Sequence, residues 1–275
     1  MNLQDQFVRV PETFEGWALL HEFFRVDWKK LKEVSPEKKM KLADEWAAFQ
    51  AEQNKEGFRT AYYGVLGHKG DILAIHFKST YDELLSVQNT FAQTEFANYI
   101  EKVNSYVSVV ELGMYEFTVK LEEKLLAQEL SPETDEWNAA WAESMSEQRE
   151  RIKNRLYTDI PNHPYVCFYP MNKKRGENVN WYTVPMKKRQ DMMREHGMIG
   201  RKYAGKVTQV ISGSIGFDDW EWGVDLFSQD PLVFKKLVYE MRFDEASALY
   251  GEFGPFYFGI HLNSEQYRQF MEGKL

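Results

Sequence analysis

Apolar and polar positions alternate along this chain in a pattern that occurs twice. From Ile72 to Phe77 a β-branched and aromatic run predicts a strand, and Thr80 stands where a helix N-cap is favoured. Leu84, Val87 and Phe91 follow at i, i+3 and i+7, the spacing of one helix face. Thr94 is placed to cap a second, short helix with Phe96 and Tyr99, and Tyr106-Val107-Ser108-Val109-Val110 predicts a closing strand. Later in the chain the order returns. Trp220 to Phe227 reads as a strand, Asp230 as a cap, and Pro231 occupies the favoured first helical position. Phe234, Leu237, Val238 and Met241 form the helical stripe, Asp244 caps a second helix, Gly251 ends it, and Phe256-Tyr257-Phe258 close the unit. The caps keep one offset, since 230 − 80 = 150 and 244 − 94 = 150.

Each unit also opens with a strand and a helix. Trp17 to Phe24 precedes a helix from about Asp27, and Tyr165 to Tyr169 precedes one beginning near Pro185. Strand–helix–hairpin–helix–strand, twice over, predicts an α+β fold of duplicated ferredoxin-like units. The two sheets can pack face to face or join in one barrel, as in a dimeric α+β barrel. The expected division is residues 1–119, an acidic helical linker at 120–162 with a break at Ser131-Pro132-Glu133-Thr134, and residues 163–275.

Composition narrows the classes. With 43% hydrophobic and 28% charged residues over 275 positions, the chain reads as globular. No run of about 18 apolar residues predicts a membrane span. Met1 to Gln6 lacks the basic-then-apolar pattern of a secretory signal, which favours a cytoplasmic address. A net charge of −8 argues against a nucleic-acid binder, and one cysteine, Cys167, excludes an internal disulfide.

Candidate chemistry concentrates in the second unit. Alternation puts Tyr165, Cys167 and Tyr169 on one strand face, and Pro170 is expected to end the pairing. The cationic run Lys173-Lys174-Arg175 follows. A redox-capable phenol with a lysine four residues on could face a carboxylate-bearing ligand; an edge tyrosine beside a solvated turn also satisfies the pattern. On the next helix Met186, Arg189, Met193 and His196 share a face, with Gly197 expected as its C′ residue. His196 could complement the helix dipole there, or serve as an axial ligand to haem iron. Gln209 shares a strand face with Val207 and would place an amide in an apolar layer. Arg242 and Ser247 replace Ala92 and Ala97 at the 150-residue offset, so polar exceptions gather in the second half.

Tyr169-Pro170-Met171-Asn172-Lys173-Lys174-Arg175 resembles the signature of coproheme decarboxylases within the chlorite dismutase-like family. The resemblance continues through His196-Gly197, Gly200-Arg201, Tyr203 to Lys206, Asp218 to Gly223, Tyr239 to Ser247 and Phe253 to Phe256; in the first half it is carried by Gly16-Trp17 and Asp27-Trp28. It implies a haem-forming enzyme that uses hydrogen peroxide to convert two propionates of iron-coproporphyrin III to vinyl groups, giving haem b. Tyr169 would be the radical relay, Lys173 its proton donor or carboxylate partner, and His196 the axial iron ligand. Arg155, Tyr169, Pro170, Met171, Asn172, Lys173, Gln209, Arg242 and Ser247 would hold the substrate. A homopentamer and an upstream ferrochelatase as partner are further implications. Chlorite-degrading relatives place an arginine where this chain has Gln209, which disfavours chlorite chemistry here. A general haem peroxidase, and a haem carrier or sensor indifferent to Tyr169, are the rival readings. The acidic linker is longer than the resemblance leads one to expect.

Overall fold

A computed structural model describes residues 10–132 and 134–275. The reading of Met1 to Gln6, and Glu133 within the predicted break, lie outside the described residues.

The first unit runs β1 (Thr13–Val26), the short α1 (Trp28–Lys32), α2 (Pro36–Gln53), β2 (Thr60–Val65), β3 (Ile72–Lys78), α3 (Tyr81–Ala92) and β4 (Ile100–Gly113). Two helices follow, α4 (Tyr115–Ala127) and α5 (Asp135–Leu156). The second unit runs β5 (Tyr165–Lys173), α6 (Met186–Arg201), β6 (Thr208–Gly213), β7 (Trp222–Ser228), α7 (Leu232–Met241), α8 (Glu245–Tyr250), β8 (Gly251–Phe253) and β9 (Tyr257–Leu262), before a terminal α9 (Tyr267–Met271).

The caps explain where the elements start. Thr80 and Glu83 form a reciprocal capping box, which satisfies donors at both ends of the α3 entry. Asp244 accepts the Ser247 amide and starts α8, as its position predicts. At α7 the Asp230 carboxylate takes the Leu232 amide and Pro231 is the capping residue, so the helix begins one residue later than expected. In the first unit Phe96–Tyr99 is a 3-10 turn, with the Thr94 hydroxyl accepting the Ala97 amide.

Of the two sheet arrangements, the barrel is realised. Strands pair antiparallel in the order β7-β6-β4-β1-β3-β2-β9-β5, and β5 pairs β7 to close the ring, with β8 continuing along β5. The halves are stitched at β2–β9 and β4–β6. Alternation divides every strand between the barrel interior and a helix-covered outer face. Leu19, Phe23, Tyr63, Ile75, Phe168 and Phe227 fill the interior. Within it His21 Nε2 lies 3.0 Å from both carboxylate oxygens of Asp225, a fully buried contact between β1 and β7. The outer faces hold one apolar cluster under α2 and α3 and another under α6 and α7.

Three sequence expectations change. Pro170 does not end the pairing: it stands opposite Gly223, its carbonyl accepts the Gly254 amide, and β8 extends the ladder to Lys173. Gly197 is not a C′ residue, because α6 continues to Arg201; the left-handed glycine comes later, at Gly205. The linker, expected only as an acidic helical segment, packs onto the first unit. Leu156 is fully buried, and a Cβ on Gly16 would collide with the Leu156 carbonyl, so β1 and α5 touch through backbone. Trp17 Nε1 donates to the Thr158 carbonyl on the same side.

Candidate active site

Along β5, Val166 and Phe168 point into the barrel while Cys167 and Tyr169 point outward. Tyr169 therefore lies on the floor beneath α7, packed with Val224, Leu226, Leu237 and Met241. It is 4% exposed, and its ring stacks on Phe256 at 4.5 Å between centroids. Burial pushes its phenol well above the usual tyrosine range, with Cys167 adding to the shift and Arg242 opposing it. The phenol is thus held protonated. Cys167, two residues back on the same face, is pushed up to about 12 by burial and is a thiol.

Lys173, at the far end of β5, is 7% exposed. Its Nζ donates to the Ala246 carbonyl at 3.1 Å and sits 4.6 Å from the centroid of the Trp181 ring. Burial lowers its pKa to about 8, against the opposing pull of Asp244 and Glu221. The backbone at this point is fixed by Glu221, whose carboxylate accepts the Lys173 amide at 2.8 Å and lies 3.3 Å from Arg175 Nε.

His196 lies more than a turn before the end of α6, so of its two readings the helix-dipole one is not realised; its partner is a side chain. Nδ1 is 3.0 Å from Asp244 Oδ2, and Ser247 Oγ also lies 3.0 Å from that oxygen. Burial pushes the Asp244 carboxyl up, but the contacts from His196 and Ser247 outweigh it and hold the group below its usual range. An anionic Asp244 calls for a proton on Nδ1, which leaves the Nε2 lone pair free for a ligand. Among the described residues, no group of three or more His, Cys, Asp or Glu side chains is placed to hold a metal ion.

The remaining predicted residues divide. Ser247 is buried in the Asp244–His196 network. Arg242 is exposed over the Phe253 ring, 4.6 Å from its centroid, and Phe253 in turn flanks Tyr169 at 5.9 Å. Met171 packs with the Tyr169 cluster, whereas Pro170 is buried on the opposite strand face with its ring against Gly254, and the Asn172 side chain is occupied in accepting the Glu221 amide. Gln209 is on the outer face with Val207, as alternation predicts, but it is exposed rather than enclosed in an apolar layer. Arg155 is exposed in the last turn of α5 with no ion pair among the described residues. Sequence reading missed three elements: Trp181, Glu221, and Asp244 as more than a cap. Asp244 and Glu221 stand inside the quoted motifs; Trp181 is brought back to Lys173 by a reversal of the chain after Arg175.

The chlorite dismutase family profile matches residues 39–262, and the chain belongs to that family. It is 42% identical over 256 residues to the coproheme decarboxylase of Staphylococcus saprophyticus, covering 91% of this chain and 94% of that protein. Among solved structures it resembles a haem-binding protein from Thermus thermophilus with a TM-score of 0.80 and 41% identity, over 96% of this chain and 99% of the other. A chlorite dismutase from Candidatus Nitrospira defluvii shares the fold, with a TM-score of 0.70 and 16% identity over 94% and 95% of the two chains.

Proposed function

We propose that this protein removes the carboxyl groups of two propionates of iron-coproporphyrin III in a hydrogen peroxide-dependent reaction, producing haem b. One observation carries the reading. A buried, protonated phenol in the middle of β5 and a buried amine at its end share one strand face, and the Asp244–Ser247 segment that supplies the Ala246 carbonyl to that amine also engages Nδ1 of His196, whose Nε2 has no partner among the described residues. The 42% identical relative bears the name coproheme decarboxylase, which supports the same substrate class.

The donor set fits an iron tetrapyrrole. His196 offers a single nitrogen, so the iron's other ligands must come from the macrocycle. Four propionates require cationic and hydrogen-bonding partners, and Arg242, Lys173 and Ser247 stand on this side of the sheet, with Arg155 contributing from the end of α5. Bound iron with peroxide supplies the oxidising power.

The chain's own residues do the rest. Each propionate that becomes a vinyl group loses carbon dioxide and two electrons with one proton; peroxide takes those electrons and two protons to form two waters. The balance leaves one proton to be supplied per turnover. Lys173, protonated below about pH 8, is the local source. Tyr169 relays the electron and hydrogen between the propionate and the oxidant, and its desolvated environment keeps the phenolic hydrogen in place between turnovers. Phe256 and Phe253 hold the ring against rotation and exclude water.

The test is to load the protein with iron-coproporphyrin III, add peroxide stepwise and follow porphyrin mass. Two successive losses of a carboxyl group are expected. An unchanged porphyrin mass overturns the assignment and leaves a carrier or sensor. Consumption of peroxide without porphyrin change identifies a general peroxidase.

A further inference from the structure

Arg175 and Asn180 form an isolated antiparallel bridge, the Gly176 amide donates to the Val179 carbonyl, and the Trp181 amide donates to the Lys174 carbonyl. These bonds turn residues 174–181 into a small strap that leaves β5 and returns to it. At its far end Trp181 is 1% exposed, packed with Val184, Met192 and Ala246. Its ring is the aromatic surface that faces Lys173 Nζ. Glu221 fastens the strap's other end through the Lys173 amide and Arg175.

A buried ammonium in apolar surroundings loses its proton or withdraws toward solvent unless something compensates. Among the described residues Lys173 has one carbonyl acceptor, Ala246, for three N–H donors. The negative face of an indole is the compensating surface that leaves the amine free to turn toward a carboxylate, because it forms no directional bond that must be broken.

We propose that Trp181 is a positioning residue for Lys173: its ring face and the Ala246 carbonyl hold the ammonium charged and aimed into the site, and Glu221 keeps the strap that carries Trp181 closed. The inference rests on Lys173 acting in the reaction proposed above. The charged groups facing Lys173 are Glu221, just ahead of β7, and Asp244, at the N-cap of α8. Both favour the ammonium, so Trp181 adds to an existing preference.

The experiment compares wild type with Trp181→Phe and Trp181→Leu. The Lys173 amine is titrated in the tetrapyrrole-free protein by carbon NMR of ε-labelled lysine, assigned with Lys173→Arg. Trp181→Leu should lower the Lys173 midpoint by about one pH unit, a tenfold change in protonation, and Trp181→Phe by less than half of that. The alkaline limb of the decarboxylation pH profile should move by the same amounts, with little change in the concentration of iron-coproporphyrin III needed for half-maximal rate. An unchanged or raised midpoint in a folded Trp181→Leu protein overturns the proposal. A lowered midpoint without any porphyrin turnover in wild type would uphold the contact and remove the reaction reading instead. The Phe variant preserves most of the buried volume, so a folding failure confined to Leu leaves the Phe titration to decide: a midpoint equal to that of wild type then overturns the proposal.

Discussion

The two halves of the barrel use one scaffold and treat its outer face in opposite ways. Tyr169 pairs with Val224 across β5 and β7; Glu22 pairs with Ala74 across β1 and β3, and 224 − 74 = 150, so Glu22 occupies in the first half the place of Tyr169 in the second. Glu22 is 1% exposed and saturated: it accepts from Gln88 Nε2 at 2.9 Å, pairs with Lys102, and lies 3.6 Å from His76 Nε2. His76, held down to about 4 by burial, is itself engaged at Nδ1 by the Thr60 hydroxyl at 3.1 Å. In the second half the polar groups end in one-sided arrangements: Lys173 on a carbonyl and a ring, His196 with one nitrogen engaged, Arg242 over a phenyl face. A closed polar network contributes to a unique fold, and an open one is available to a ligand. The difference favours the second half for the proposed site.

Substitutions can break this contrast at either end. His196→Ala has the largest expected effect, complete loss of the axial nitrogen signal from the ferric tetrapyrrole spectrum; an unchanged spectrum would move the ligand elsewhere. Tyr169→Phe should still bind iron-coproporphyrin III yet leave its mass unchanged on peroxide addition, a loss of at least about 100-fold in rate; turnover equal to wild type would retain the enzyme and discard the relay. In the first half, Glu22→Ala should cost about 2 kcal/mol in urea unfolding by stripping Lys102 and Gln88 of their partner. Porphyrin turnover per folded molecule should stay the same, and a selective loss of turnover would break the division of labour between halves.

Two smaller effects sharpen the comparison. Because His76 has a lowered folded pKa, the unfolded chain binds its proton first as pH falls below 6.5, so stability is lost between there and pH 4. Between pH 7 and 5 the loss should be about 1–2 kcal/mol, measured by denaturant midpoints, and His76→Gln should flatten that slope. Arg155→Ala, at an exposed position without an ion pair among the described residues, should leave stability within about 0.5 kcal/mol of wild type. It should weaken tetrapyrrole affinity a few-fold at low salt, and a change in stability instead would give Arg155 a structural role.

The periodic elements were legible because side-chain period and cap chemistry are local. Leu84, Val87 and Phe91 are all buried, and Thr80 and Asp244 cap as their positions predict. Barrel closure was legible only as one of two sheet arrangements, since the choice depends on β5 pairing both β7 and β9 across the chain. Gly197 misled because a glycine after a histidine carries the signature of a helix end, while α6 runs through it to Arg201. Pro170 misled for a related reason: a missing amide matters only where a partner carbonyl needs it. The proposed site residues Tyr169, Lys173 and His196 were readable as types in a motif. Their electrostatics were not, because the Trp181 strap, the Ala246 carbonyl and the Asp244 contact join residues far apart in sequence.

The His21–Asp225 contact inside the barrel has a meaning for the history of the chain. A duplicated unit normally keeps the option of standing alone, but here each copy contributes one member of a fully buried pair. Split into separate polypeptides, either half would expose an interior polar group that only the other can satisfy, and neither would be expected to persist as a monomer. Mixed together, the fragments should recover by complementation. The pair ties the two copies into one folding unit, whatever chemistry each of them carries.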